Sequence, residues 1–231
     1  MTRRATATWG ILVGLLLAAM DGTVVATALP RILEDLSGFD LYFLPNATFM
    51  LCQTISTPLW GRLSDIHGRG RFHFMAIGIL IVGSVLCGLS NSMLTLSAAR
   101  AVQGLGAGGL FALSFTMVAD LYELERRAKM QGAISSVWGV AALAGPFLGE
   151  WLTHAFTWRA VFWINIPIGL VSAALVQSAW QQPAPGKSAR TDLAGAVLLA
   201  AASAALLGFF GLAGNRGWTD PRALGALAAA A

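Results

Sequence analysis

Charge is what this sequence has least of. Asp, Glu, Lys and Arg make up 11% of its 231 residues, against about a quarter in an ordinary soluble domain. Six windows carry none: Asp40 to Arg62, Arg71 to Arg100, Arg100 to Asp120, Lys129 to Glu150, Arg159 to Lys187, and Asp192 to Arg216. Each is about as long as the ~20 residues a helix needs to cross ~30 Å of hydrocarbon. In a chain that is 56% hydrophobic, six such windows leave too little polar surface for a soluble fold, soluble enzymes included. Cysteine is nearly absent too. Cys52 and Cys87 both fall inside apolar windows, which excludes a disulfide framework or a zinc site. His67, His73 and His154 are scattered and expected at membrane interfaces. No metal or cofactor is implied.

What remains reads as an all-α polytopic membrane protein. Seven spans are expected, over 9–29, 42–61, 72–90, 94–118, 131–153, 159–180 and 192–214. Arg3 and Arg4 before an apolar run also fit a signal peptide. The run continues past Asp21 to Pro30 without an A-x-A cleavage site, so a retained helix is expected. Residues 1–8 then form a short cytoplasmic N-terminus, because positive charge marks the cytoplasmic side. Alternate connections carry Arg62, Arg69 and Arg71, then Arg126, Arg127 and Lys129, then Lys187 and Arg190. A sequence pI near 9.7 therefore reflects topology and implies no nucleic-acid partner; the partner implied is the lipid bilayer.

One connection has linker composition, "QQPAPGKSAR" at 181–190, which is polar and broken by two prolines. It divides a six-span unit (9–180) from a bland seventh span at 192–214. Residues 215–231 read as an outer loop and the beginning of a further span, so the sequence reads as a fragment or a truncated reading frame. "PLWGRLSDIHGRGR" (58–71) and "PFLGEWLTHAFTWR" (146–159) share Pro, Gly and Arg at their first, fourth and last positions. They follow the second and fifth spans on opposite faces, the placement that inverted three-helix repeats require.

Asp21 lies inside the first span, twelve residues beyond Trp9 and so about 18 Å along the helix. Arg100 lies about 9 Å into the fourth span from the other side. Both fall near 20 Å above the cytoplasmic surface of a ~30 Å core. Opposite charges at one depth can tolerate burial together, and ionisable groups inside a membrane are functional candidates. Arg100 could instead snorkel to the outer interface, and Asp21 could make a static hydrogen bond. Burial favours a neutral carboxyl and a nearby arginine favours the carboxylate, so a pair pulled both ways suits proton exchange.

Glycine spacing is the second signal. "GILVG" (10–14), "GLGAG" (104–108) and "GPFLG" (145–149) set small residues four apart, which lets helices approach closely. Pro146 beside Gly145 invites a bend. The third is "GRLSDIHGRGR" (61–71), whose arginines alone satisfy a topological anchor. Asp65 exceeds that need and could hold a facing arginine or helix end.

Together these segments resemble the major facilitator superfamily. "GRLSDIHGRGR" is similar to that family's loop signature. "MDGTVVATALP" (20–30), "RAVQGLGAGG" (100–109) and "GVAALAGPFLGE" (139–150) are similar to its first-, fourth- and fifth-helix motifs. With "TFMLCQTISTPLWGRLSD" and "WRAVFWINIPIGL" (158–170), the likeness narrows to the fourteen-helix drug:proton antiporter branch, EmrB/QacA type, over residues 9 to 214. The resemblance implies a six-helix N-terminal bundle of two inverted repeats plus one extra transmembrane helix. It implies that Asp21 and Arg100 serve proton coupling, and that Gln103 and Thr23 line the substrate path. Gly61, Asp65, Gly68 and Arg69 would form a cytoplasmic latch between two six-helix halves. Gly145, Pro146 and Gly149 match the antiporter signature of helix five. There are departures: Glu150 replaces a glycine, Ala26 an asparagine, and Leu44 and Phe49 stand where Trp and Tyr are usual.

The expected function is therefore proton-coupled export of small amphipathic compounds across a bacterial inner membrane. The proton gradient would be the energy source, and this chain the N-terminal half. A missing C-terminal half or a partner subunit would be needed for transport; a non-transporting remnant is the alternative. A retinal-type seven-helix protein fits poorly, since residues 192–214 hold no lysine.

Overall fold

A computed structural model describes residues 2–181 and isolated helical positions between Gly195 and Ala228. The expected linker beyond residue 181 and the seventh span at 192–214 lie largely outside the described residues. Among those described there are helices and no strand. They are α1 (Arg3–Leu36), α2 (Leu44–His67), α3 (Arg69–Gly88), α4 (Met93–Leu121), α5 (Leu124–Ala155), α6 (Ala160–Trp163) and α7 (Asn165–Ala179). The sixth expected span is thus divided at Ile164 into α6 and α7.

The helices outrun the spans read from hydropathy. Apolar runs measure hydrocarbon thickness, whereas a helix continues wherever its backbone stays bonded. Hence α1 does not stop near Pro30; it runs through to Leu36 and is ended by Ser37 (φ 57°) and Gly38 (φ 92°). Thr2 accepts a hydrogen bond from the Ala5 N–H at its start. Ser92 and Thr95 form a reciprocal capping box on α4. Gly68, at φ 102°, reverses the chain between α2 and α3, a backbone conformation that glycine adopts without steric cost.

By length and composition α1, α3, α4, α5 and the α6–α7 pair can each cross a membrane. The more polar α2 spends several of its side chains on α4 carbonyls. Trp60 Nε1 donates to Leu105 O at 2.8 Å, Thr48 Oγ1 to Ser97 O at 2.9 Å and Ser56 Oγ to Leu105 O at 3.3 Å. In lipid such interhelical bonds and close packing hold helices together, because the solvent is itself apolar.

The most extensive contacts are α2 with α4, α3 with α4, α1 with α5 and α1 with α7. Exchanging α1 with α4, α2 with α5 and α3 with α6–α7 maps this set onto itself, as two three-helix repeats require. All three glycine pairs lie in these contacts. Gly10 and Gly14 meet Val176 and Ser172 of α7, Gly104 and Gly108 meet Phe49, Gln53 and Ser56 of α2, and Gly145 and Gly149 meet Thr23, Val24 and Thr27 of α1. Pro146 does not end α5, which continues through it as one helix.

A methyl group on Gly106 would stand 2.5 Å from Leu80 N and 2.7 Å from Ala76 O, both rigid backbone, whereas nothing lies within 4 Å of one on Gly61. Thermal unfolding in detergent is expected to show Gly106→Ala less stable by about 1–3 kcal/mol. Gly61→Ala should be neutral or gain up to about 1 kcal/mol in helix propensity.

Candidate functional site

The middle of α1 and the first third of α4 bring an aspartate and an arginine together in the bundle interior. Arg100 is 0% exposed and Asp21 3%. Arg100 Nη1 donates to Asp21 Oδ2 and, at 2.8 Å, to Gln103 Oε1. Gln103 Nε2 donates to Asp21 Oδ1 at 2.6 Å and to Ser84 Oγ at 2.9 Å. From α7, Asn165 Nδ2 donates to the same two atoms, each at 3.1 Å. The Cys87 thiol approaches Gln103 Oε1 at 3.4 Å. The guanidinium lies over the Phe49 ring, 4.0 Å from its centroid, where the ring's negative face stabilises a desolvated cation.

Each member of this cluster depends on another. Arg100 and Gln103 are one turn apart on α4 and so share a face. Gly83 allows α3 to lie directly on the Gln103 backbone, which brings Ser84 within reach of the amide. Asp21 receives hydrogen bonds on both oxygens, so its charge is met without water. Arg100 is served on one edge, while its Nε and Nη2 have no acceptor among the described residues. A crevice of about 20 Å³ reaches Asp21 between α1, α5 and α6–α7, bordered by Met20, Leu148, Ile164 and Asn165. That is room for one water molecule.

A second feature repeats at opposite ends of the bundle. At the start of α3, Arg69 donates through Nη2 and Nε to Asp65 (2.8 and 3.2 Å) and through Nη1 to Thr116 O at 3.4 Å. It also pairs with Asp120 in the last turn of α4. At the start of α6, Arg159 pairs with Asp35 in the last turn of α1 at 2.8 Å and donates to Ser90 O at 3.3 Å. Trp158 Nε1 donates to the same Asp35 carboxylate at 2.9 Å. The helix exchange that relates the repeats carries one ion pair onto the other.

The sequence model of the Major Facilitator Superfamily matches residues 11–230. The chain belongs to that superfamily. Multidrug resistance protein 3 of Bacillus subtilis is 37% identical over 190 residues, covering 82% of this chain and 37% of that protein. Multidrug transporter protein MdtP of the same organism is 30% identical over 194 residues, covering 84% and 36%. Efflux pump dotC of Dothistroma septosporum is 38% identical over 159 residues, covering 69% and 27%. The match thus spans little more than a third of the two Bacillus proteins and about a quarter of the Dothistroma one. Among solved structures, the human organic anion transporter MFSD10 (TETRAN) shares the fold with a TM-score of 0.69 at 19% identity, covering 96% of this chain and 59% of that one.

In this major facilitator chain, Asp21, Arg100 and Gln103 occupy one site. Arg100 does not snorkel, because no part of it is exposed. Thr23 lies apart from them, in the α1–α5 seam, where its hydroxyl donates to Met20 O and Ala141 O at 2.9 and 3.2 Å. Its Oγ1 and that of Thr27 occupy the spaces left by Gly145 and Gly149. Asp65 and Arg69 bond each other and Arg69 also bonds α4, with Gly68 forming the turn between them and Gly61 facing open space. Glu150, in place of the usual glycine, pairs with His154 at 2.8 Å on the exposed end of α5. His73 is not at an interface with lipid or water; it is fully buried, with Ser172 Oγ 3.5 Å from its Nε2.

Sequence reasoning missed Ser84, Asn165, Asp120 and Asp35. Asn165 is an amide about a quarter of the way along the sixth expected span, 159–180, with apolar neighbours on both sides, and that was the available signal. Asp120 and Asp35 stand at equivalent helix ends, a clue visible once the repeat is drawn.

Removing one partner of a buried ion pair strands the other, at a cost of about 3–5 kcal/mol. Arg100→Met is expected to lose that much stability in detergent unfolding. The Asp21→Asn/Arg100→Met double variant should regain most of it, giving a coupling of more than about 1 kcal/mol in the cycle.

Proposed function

We propose that this chain is the N-terminal half of a proton-coupled exporter that exchanges protons for small amphipathic compounds, in the manner of an antiporter. The observation that carries the reading is the Asp21–Arg100 pair, completed by Gln103 and buried inside the bundle. A carboxylate balanced between burial and a neighbouring cation has two accessible charge states. Helix motions that change its access to water can then load and release one proton per cycle. The names of the Bacillus and Dothistroma relatives, multidrug transporters and an efflux pump, favour export of drug-like substrates.

In this reading the Arg69 end of the bundle is cytoplasmic, in keeping with the arginines of its loop, and the protein lies in the inner membrane of a bacterium. A second six-helix half, in the same chain or in a partner subunit, supplies the other wall of the substrate path. The exposed apolar row Val140, Leu143, Phe147 and Trp151 on α5 and the open side of Gly61 suit that contact. Gln103 and Thr23 remain the candidates for the path's lining on this side. Asp65, nearly half exposed beside Arg69, is placed to exchange partners across the same seam as a latch.

Two experiments on the chain joined to its second half test the proposal in everted membrane vesicles. Asp21→Asn should abolish drug uptake driven by an imposed proton gradient, and undiminished uptake would remove Asp21 from the mechanism. Asp65→Asn should slow the maximal rate severalfold with little change in half-saturating substrate concentration; an unchanged rate would reduce the latch to a topological anchor.

A further inference from the structure

We propose that Asn165 is the residue that lets Asp21 exist in both protonation states, by turning its side-chain amide as the proton arrives and leaves. The inference rests on the reading of Asp21 as the proton site and adds a positioning residue to it.

The hydrogen bonds of the ionised state show why such a residue is required. Every polar neighbour of the Asp21 carboxylate acts as a donor: Arg100 Nη1 to Oδ2, and Gln103 Nε2 and Asn165 Nδ2 to Oδ1. Once a proton is bound, the carboxyl carries an O–H that must itself find an acceptor. A buried donor left without one costs far more than an average hydrogen bond contributes. Arg100 has no acceptor atom at all. Gln103 has one, yet it is committed: Oε1 receives Arg100 at 2.8 Å and the Cys87 thiol at 3.4 Å. Turning that amide would aim its N–H₂ at the guanidinium.

Asn165 is differently placed. Its Nδ2 donates to Asp21 and to Ser84, and its side-chain carbonyl accepts nothing from the described residues. Half a turn about the terminal torsion exchanges donor for acceptor. The carbonyl then faces the new Asp21 O–H, and Ser84, which accepts from both amides, can turn its own O–H toward the same oxygen. The balance is simple: a proton from water joins a carboxylate oxygen, the amide rotates, and no covalent bond other than O–H is made or broken. Asn165 and Asp21 also border the crevice with room for one water, so proton and amide meet at the same spot. Asn165 is the first residue of α7, where the span is interrupted after Ile164.

Among the described residues, other ionisable groups leave this pair to itself. Facing Asp21 are Arg100 of α4 and, behind Gln103, Cys87 of α3. From α5 and α6 the nearest are Glu150, His154 and Arg159, which are bonded to one another or to Asp35. Asp35 itself, with Arg31 and Glu34, lies at the far end of α1. On α3, His73 is eleven residues from Ser84, about 16 Å along the helix, with Arg69 and Arg71 farther still. From α2 the side chain that approaches is Phe49, on Arg100; its charged residues begin at Arg62.

The test is infrared difference spectroscopy of the full chain in lipid vesicles across pH. The stretch of the protonated Asp21 carboxyl is identified by its loss in Asp21→Asn. Asn165→Leu removes the uncommitted side-chain acceptor among the described residues and one of three donors to the carboxylate; Arg100 and Gln103 stay on the carboxylate, so the loss of the acceptor outweighs the loss of one donor. Its band should therefore half-develop about one pH unit lower, a tenfold loss of proton affinity. Asn165→Gln keeps both amide atoms, has the crevice to accommodate its extra methylene, and should stay within about threefold of the parent. It also serves if the leucine variant fails to fold. An unmoved band in Asn165→Leu, or a glutamine variant moved as far as the leucine one, overturns the amide switch while leaving Asp21 as the proton site. No Asp21-dependent band at any pH overturns the proton site, and this inference with it.

Discussion

An arginine and an aspartate paired in the bundle interior set the terms on which the rest of this bundle is built. Neither ion would tolerate that position alone. Together they are acceptable only with further hydrogen bonds, an aromatic face under the guanidinium and tight surroundings that keep the geometry. The pair joins α1 to α4, which the repeat exchange converts into each other. Ser84 and Asn165 come from α3 and α7, another two helices related in that way. The polar cluster therefore lies where the two repeats meet, and each repeat contributes polar side chains from two of its helices.

That arrangement makes severe demands on backbone distance. An amide reaches a carboxylate on a neighbouring helix only if the helix axes are close, and side chains hold axes apart. Glycine at positions 83, 104, 106 and 108 removes the obstruction around α4. Gly145 and Gly149 do the same for α5 on α1, with threonine hydroxyls filling the spaces. Small residues and buried polar groups are thus one design. Without the former, the latter could not touch.

The readable part of this molecule was its relation to oil. Charge-free windows located the helices, and counting residues from each membrane face put Asp21 and Arg100 at one depth. The Gly pairs marked three helices that pack closely, but not the helices they pack against. Other features escaped because the signals on which they depend are weak in sequence. Asn165 carries no charge, so a polar side chain at the heart of the cluster left hydropathy almost unchanged. Serine in a span is too common to single out Ser84. Asp35 and Asp120 lie beyond the expected spans 9–29 and 94–118, although each closes a helix onto an arginine remote in sequence. Phe49 looked like a departure from its family, while its ring lies under Arg100, where a phenolic oxygen is not needed. The ends of α1 and α5 were misjudged because hydropathy says where lipid stops, not where backbone bonding stops.

The ion pairs at the two ends are related by the repeat but are not equals. Arg69 is held by two carboxylates and is mostly enclosed, whereas Arg159 has one carboxylate, half open to solvent, with an indole as its second support. Mobile ions screen exposed pairs within roughly 8 Å at physiological ionic strength and reach enclosed ones poorly. Salt should therefore loosen one end of the bundle before the other. A domain assembled from two nearly equivalent parts acquires in this way a stiff pole and a yielding pole, a polarity its topology alone does not supply.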